Sequence, residues 1–191
     1  AFAGRTLTGE KSKYINSSES PVFQKSTLLY GLWEARKKDP KLQQLIVVEG
    51  YLDVIALAQF GIFNAVAAMG TATNEQNLTH ILNTSANILF CFDGDKAGLA
   101  AARKALRNIL PLLEDGQKVS FLLLPASTDP DSLIRREGAT RFRERIETAT
   151  PLSEFFFNSL STDLNLKLPE DRGILANRVK EALRSVKARV L

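Results

Sequence analysis

Between Leu45 and Leu124, short apolar runs of strand length alternate with segments of helical spacing. Leu45–Val48, Phe63–Ala68, Ile88–Phe92 and Val119–Leu124 read as buried strands. Tyr51–Phe60, Asn74–Leu82 and Ala97–Leu113 read as the helices between them, with Pro111 disturbing the last. Strand, helix, strand in strict succession admits few folds: the strands must run parallel, joined by right-handed crossovers. The rhythm predicts an α/β protein with a four-stranded, mainly parallel sheet flanked by helices. It also predicts that all four strands end on one edge, where open α/β sheets bind ligands.

The flanks read differently. Within residues 1–25, AFAGRTL reads as a short strand and KYINSSESPVF as a loop. Lys25–Lys38 has helical spacing, with Trp33 on its apolar face, and Asp39-Pro40 ends it. After Asp131, Ser132–Glu137, Thr140–Thr148, Pro151–Leu160 and Asp171–Val190 read as an α-helical subdomain in which Phe155, Phe156 and Phe157 are core.

Acids collect at the strand ends. Glu49 follows the first strand, Asp93-Gly94-Asp95 the third and Asp129-Pro130-Asp131 the fourth. Asp53, four residues after Glu49, shares its helical face. Each acid also has a structural reading: Asp95 and Asp131 stand where helix N-caps stand, and Asp129-Pro130 is a turn starter. Glu49 is harder to place that way, because a glutamate ending a buried strand needs a partner. Together the carboxylates would repel unless a hard divalent cation joined them. Gly94 keeps the pair clear of a side chain that would crowd ions or phosphates. Gly70-Thr71-Ala72-Thr73 offers either a phosphate-binding turn or a turn capped by Thr73.

Composition narrows the chemistry. Only one cysteine, Cys91, and one histidine, His80, are present, so there is no internal disulfide and no zinc site of the usual kind. Cys91 falls inside an apolar strand and reads as a buried thiol. No apolar run is long enough for a membrane span and no signal peptide opens the chain, which predicts a cytoplasmic protein. The net charge is +4. Residues 172–191 carry six basic side chains against one acidic, and residues 1–38 carry seven against three. Basic flanks around an acidic centre suit a polyanion whose phosphates meet cations, and equally suit solvated helix faces. The chain opens without Met on AFAGR and ends on KARVL inside a helical pattern, which reads as a piece of a larger protein.

LIVVEGYLDVIALAQFG, AAMGTATNEQ, CFDGDKAGLAAARKAL and LLLPASTDPDSLI, in that order, resemble the Toprim domain of bacterial replicative DNA primases of the DnaG type. AFAGRTL followed by KYINSSESPVFQKSTLLYGL resembles the stretch that precedes Toprim in that family. The family's usual N-S-P-E-T stands here as Asn16-Ser17-Ser18-Glu19-Ser20.

The resemblance implies a Toprim fold followed by a helical subdomain. Residues 1–42 would end the N-terminal basic subdomain of the polymerase core, 43–125 would form Toprim, and 126–191 the metal-site loop and a truncated helical subdomain. It implies catalytic and metal-binding roles for Glu49, Asp93 and Asp95, with Asp53, Asp129 and Asp131 completing the metal cluster. Arg5, Lys13, Asn16 and Lys25 would face nucleotide and template. The implied cofactor is Mg²⁺ or Mn²⁺, with no zinc in this stretch. The implied partners are single-stranded DNA, NTPs, the RNA primer and, through a domain absent here, the replicative helicase, in the cytoplasm at the nucleoid and with no membrane. The activity would be primer synthesis by nucleotidyl transfer, and the fragment alone could be inactive. The alternatives are another Toprim enzyme, a topoisomerase or nuclease, or a non-enzymatic Toprim binding module.

Overall fold

A computed structural model describes residues 3–5, 14–21, 23–24, 27–68 and 74–187. Its centre is a six-stranded sheet ordered β3-β5-β4-β6-β7-β8. The four inner strands are β4 (Leu45–Val48), β5 (Ala65–Ala68), β6 (Asn87–Phe92) and β7 (Lys118–Leu123), and they are mutually parallel. These are the strands the alternation predicts. Two-residue antiparallel strands, β3 (Leu29–Tyr30) and β8 (Thr150–Pro151), extend the sheet at its two edges. Strands this short carry almost no periodic signal, which is why only the four inner strands are legible in the residues. A separate two-stranded ribbon pairs β1 (Ala3–Arg5) with β2 (Tyr14–Asn16), so part of the expected N-terminal loop is strand.

β4 and β5 are buried throughout and β6 from Ile88 on, which is why they read as unbroken apolar runs, whereas β7 leaves Lys118 and Leu123 exposed and Ser120 half-buried. Leu45 and Val47 face one layer, Ile46 and Val48 the other. On the first face lie α3 (Glu75–Thr84), α4 (Lys96–Ile109) and α6 (Leu152–Ser161). Stacked rings of Phe90, Phe92, Phe121 and Phe155 hold this layer, with Phe121 and Phe155 4.4 Å apart. On the second face lie α2 (Tyr51–Gln59) and α5 (Pro130–Glu147), around fully buried Leu57 and Phe142.

Several boundaries move, each for a local reason. The helix expected from Lys25 begins only at Leu32, as α1 (Leu32–Lys38), because Leu29 and Tyr30 pair with β5 and Gly31 turns the chain at φ 86°. Trp33 is therefore not core but 68% exposed. The last turn of α4 gives way to a 3₁₀ turn, Leu110–Leu112, at Pro111. The two helices expected after Asp131 form one run kinked at Gly138, whose φ and ψ are 79° and 169°. Phe155 and Phe156 are buried as expected, but Phe157 turns outward. The final helix, α7 (Pro169–Leu183), is shorter than its pattern suggests. Arg178 pins it to the end of α6 through a two-pronged pair with Asp163, at 2.6 and 2.9 Å. None of the helices among the described residues is long and apolar enough to cross a membrane.

Strand order fixes where a ligand crevice must lie. From β4 the chain passes through α2 to β5 on one side; from β6 it passes through α4 to β7 on the other. The helices leaving these neighbouring strands go to opposite faces of the sheet. The space beyond the carboxyl ends of β4 and β6 is thus a topological switch point. Glu49 and Asp93 are the residues that follow those two ends.

Candidate active site

Across the switch point, the Asp93 backbone N–H donates to Glu49 Oε1 at 3.3 Å. That contact gives the strand-end glutamate its partner. The Asp93-Gly94-Asp95 loop is in turn joined to the loop after β7. Gly94 N–H donates to the Thr128 carbonyl at 2.9 Å, and Ser127 N–H donates to the Gly94 carbonyl at 2.9 Å. Gly94 proves necessary for a reason other than room for ions. A Cβ there would lie 1.8 Å from the Pro125 carbonyl oxygen. Gly98 has the same logic one turn on, since a Cβ would meet the Asp93 carbonyl oxygen at 2.2 Å. Small residues at both positions let α4 and the β7–α5 loop close directly on Asp93.

Asp53 ties the remaining acidic segments together. Its Oδ2 accepts from Gly50 N–H at 3.1 Å and its Oδ1 from Asp131 N–H at 3.4 Å, so both oxygens serve backbone donors. Asp95 caps α4, accepting from Gly98 N–H at 2.7 Å, as its position predicts. At α5 the cap is Asp129, which accepts from Ser132 N–H at 2.7 Å, and not Asp131. Pro130 takes the first helical position, where a missing N–H is harmless, and that moves the cap back by two residues. The Asp131 carboxylate instead pairs with Arg135 one turn later, and Arg135 also reaches Gln59 Oε1 at 3.4 Å. Arg135 was missed in the sequence reading, although the i, i+4 spacing of Asp131 and Arg135 carries the signal. The cap of α3 is Asn74 rather than Thr73; Gly70 to Thr73 lie outside the described residues.

The acids share one electrostatic field. Burial pushes Asp93 up to about 7, helped by the charges of Glu49, Asp53, Asp129 and Asp95. Burial first, then the charge of Asp129, pushes Asp53 up to about 6, against the two backbone N–H groups that favour its anion. Behind them, burial and the charges of Asp53, Asp93 and Glu49 drive the Cys91 thiol upward, which makes it a core residue and not a nucleophile.

The residues present suit a hard cation. Asp93 Oδ1 is buried and has no hydrogen-bond partner, an expensive state for a carboxylate oxygen. The donors around it are all oxygens, the set that Mg²⁺ and Mn²⁺ take. Among the described residues no three His, Cys, Asp or Glu side chains converge closely enough to hold a metal as they stand. As they stand, Asp95 and Asp129 cap helices, Asp53 serves backbone donors and Asp131 pairs with Arg135; the repulsion among the six is what a cation would relieve.

Of the expected nucleic-acid contacts, Arg5 and Asn16 fall in β1 and β2, where Arg5 pairs with Tyr14 and Asn16 with Ala3. Lys13 and Lys25 lie outside the described residues.

Comparison with known proteins decides the family. A sequence family described as Toprim-like matches residues 46–134, and one described as the N-terminal domain of the DNA primase catalytic core matches residues 1–36. A DNA primase of Pseudomonas aeruginosa is 50% identical over 187 residues, which is 97% of this chain. This chain belongs to the bacterial DnaG-type DNA primases.

It spans 28% of that primase's length. The crystal structure of a DNA primase domain from Pseudomonas aeruginosa superposes with a TM-score of 0.93 at 49% identity, covering 98% of this chain and 59% of that one. The structure of a DnaG primase catalytic domain bound to ssDNA superposes with a TM-score of 0.88 at 42% identity, covering 98% of this chain and 60% of that one. The Toprim-like match contains all six acids of the edge. The primase N-terminal match contains Arg5, Lys13, Asn16 and Lys25.

Proposed function

We propose that the protein to which this chain belongs makes short RNA primers on single-stranded DNA, and that the acidic edge is where nucleotides are joined. One observation carries the reading: at the switch point of a primase-family sheet stands an aspartate with a buried, unpartnered carboxylate oxygen, its backbone N–H bonded to the glutamate that ends the adjacent strand.

Glu49, Asp93 and Asp95 would hold the divalent cations, Mg²⁺ or Mn²⁺. When bound, such ions lower the barrier by activating the attacking hydroxyl and by neutralising the pyrophosphate that leaves. Asp53, Asp129 and Asp131 act around them. Asp53 spends its oxygens on the Gly50 and Asp131 amides, which fixes the β4–α2 turn against the start of α5. Asp129 and Asp95 hold the helices that carry the two acidic loops. Arg135 holds Asp131 turned toward α5.

Arg5, Lys13, Asn16 and Lys25 would position nucleotide and template through backbone contacts that do not read bases. The likeness to a catalytic domain bound to ssDNA supports DNA as the template. NTPs, the growing primer and the replicative helicase complete the partners of the whole enzyme. The helicase contact would lie outside the 28% of the Pseudomonas aeruginosa primase that this chain matches. Residues 1–42, 43–125 and 126–191 would serve as basic subdomain, Toprim domain and helical subdomain.

The test is primer synthesis on single-stranded DNA by the full-length primase with Mg²⁺ or Mn²⁺. Glu49→Gln and Asp93→Asn each lower the rate at least ~100-fold, the scale on which charge-stabilising groups matter in transfer reactions. Near-normal synthesis by both variants overturns the assignment.

A further inference from the structure

At the far end of the sheet from the acids, two aromatic rings stand out in solvent with a lysine over each. Trp33 is 68% exposed, and Lys37 Nζ sits 5.0 Å from its ring centroid. Phe63 is 39% exposed, and Lys38 Nζ sits 4.8 Å from its centroid. Lys37 and Lys38 are adjacent in the last turn of α1, so the two ring–lysine pairs form one patch. Arg36 extends it along the helix. Arg143 extends it on the other side, through its hydrogen bond to the Gly61 carbonyl at 2.9 Å, two residues before Phe63. Phe63 precedes the amino end of β5, so this patch and the acidic edge lie at opposite ends of that strand.

Basic residues ending a helix are favourable in themselves, and lysine stems do cover apolar surface. Neither fact explains a tryptophan left two-thirds bare beside a second exposed ring. We propose that Trp33, Lys37, Lys38 and Phe63 form a docking surface for single-stranded DNA, separate from the acidic edge. A base stacking on either ring displaces the lysine from that face, and the freed ammonium meets the phosphate next to that base. A duplex keeps its base faces covered and cannot bind this way. An acidic peptide would use the lysines but has no flat faces for the rings. The surface stands whether or not the acidic edge performs transfer; its use as a path for the template strand rests on the function proposed above.

Trp33 is the only tryptophan in the chain, so its emission reports the site directly. Titrating the 191-residue chain with oligo(dT) quenches Trp33 fluorescence. An abasic strand of equal charge binds about tenfold more weakly. Phe63→Ala and the double variant Lys37→Gln/Lys38→Gln each weaken binding about fivefold, and the double variant also lowers the salt slope, by about 0.7 for each lost phosphate contact. These side chains are exposed, and circular dichroism of each variant matches the parent. Asp93→Asn does not abolish the quench, so the two readings fail independently. Oligo(dT) binds at least as tightly as oligo(rU), and clearly tighter binding of oligo(rU) overturns the assignment to a DNA strand. An unchanged Trp33 signal on saturation with oligo(dT) overturns the proposal. So does equal affinity for the abasic strand, or for poly-glutamate.

Discussion

The carbonyl oxygen of Pro125 occupies the space that a side chain on Gly94 would need: a Cβ would lie 1.8 Å from it. Two acidic loops, one after β6 and one after β7, are thereby pressed together backbone to backbone, with Gly94 and Thr128 hydrogen-bonded at 2.9 Å. The relationship makes Gly94→Ala a severe change, because the atom a Cβ would meet is backbone and cannot swing aside. The expected loss is roughly 3 kcal/mol or more, the range of overpacked and strained sites. Urea unfolding of the variant checks it, and an unchanged midpoint at unchanged slope would refute the packing argument.

Asp93 gives the fold an unusual pH dependence. Its native value is pushed up to about 7, while an unfolded aspartate titrates near 4. Between those values the native state holds a proton that the unfolded chain has released, so stability falls as pH rises through that window. Asp53, pushed up to about 6, acts in the same direction. Unfolding measured in a chelating buffer from about pH 4 to about pH 8 shows the decline. Asp93→Asn removes the charge while keeping the shape, so the variant is flatter in pH and more stable at the alkaline end. Stability that rises with pH across this window in the parent contradicts the account.

Phe142 fastens the kinked α5 to the sheet. It is fully buried in the layer that holds Leu57 and Ile134. Phe142→Ala leaves a cavity there, and the expected loss is about 3–5 kcal/mol. Because α5 carries Asp129 and Asp131 at its start, the same variant raises the KM for nucleotide in primer synthesis by the full-length enzyme. Denaturant unfolding checks the first outcome and steady-state kinetics the second.

Much of this was legible in the residues, and the exceptions share a cause. Burial on both faces leaves Leu45–Val48 and Ile88–Phe92 no polar positions, so these two runs are legible as strands. Glu49 and Asp93 stood out because acids directly ending buried strands have no helix of their own to cap, whereas Asp95, which caps α4, stood out only in their company. What stayed hidden depends on contacts between segments distant in sequence. Leu29 and Tyr30 became a strand only because β5 offered an edge. Phe157 sits in a run of three phenylalanines whose outward member only the packing of α6 identifies. Gly94 stands out by its position between two acids, but nothing local to Asp93-Gly94-Asp95 reveals the Pro125 carbonyl that most constrains it. The division of labour among the acids is likewise tertiary: Asp53 is engaged by the Asp131 amide, 78 residues away.

The central claim is that the acidic edge holds divalent cations. The most direct measurement is an anomalous difference map from crystals of this chain soaked in Mn²⁺ with a nucleoside triphosphate. The account predicts manganese peaks within coordination distance of Glu49, Asp93 and Asp95. Manganese bound only elsewhere, with that edge empty at saturating metal and nucleotide, would contradict it.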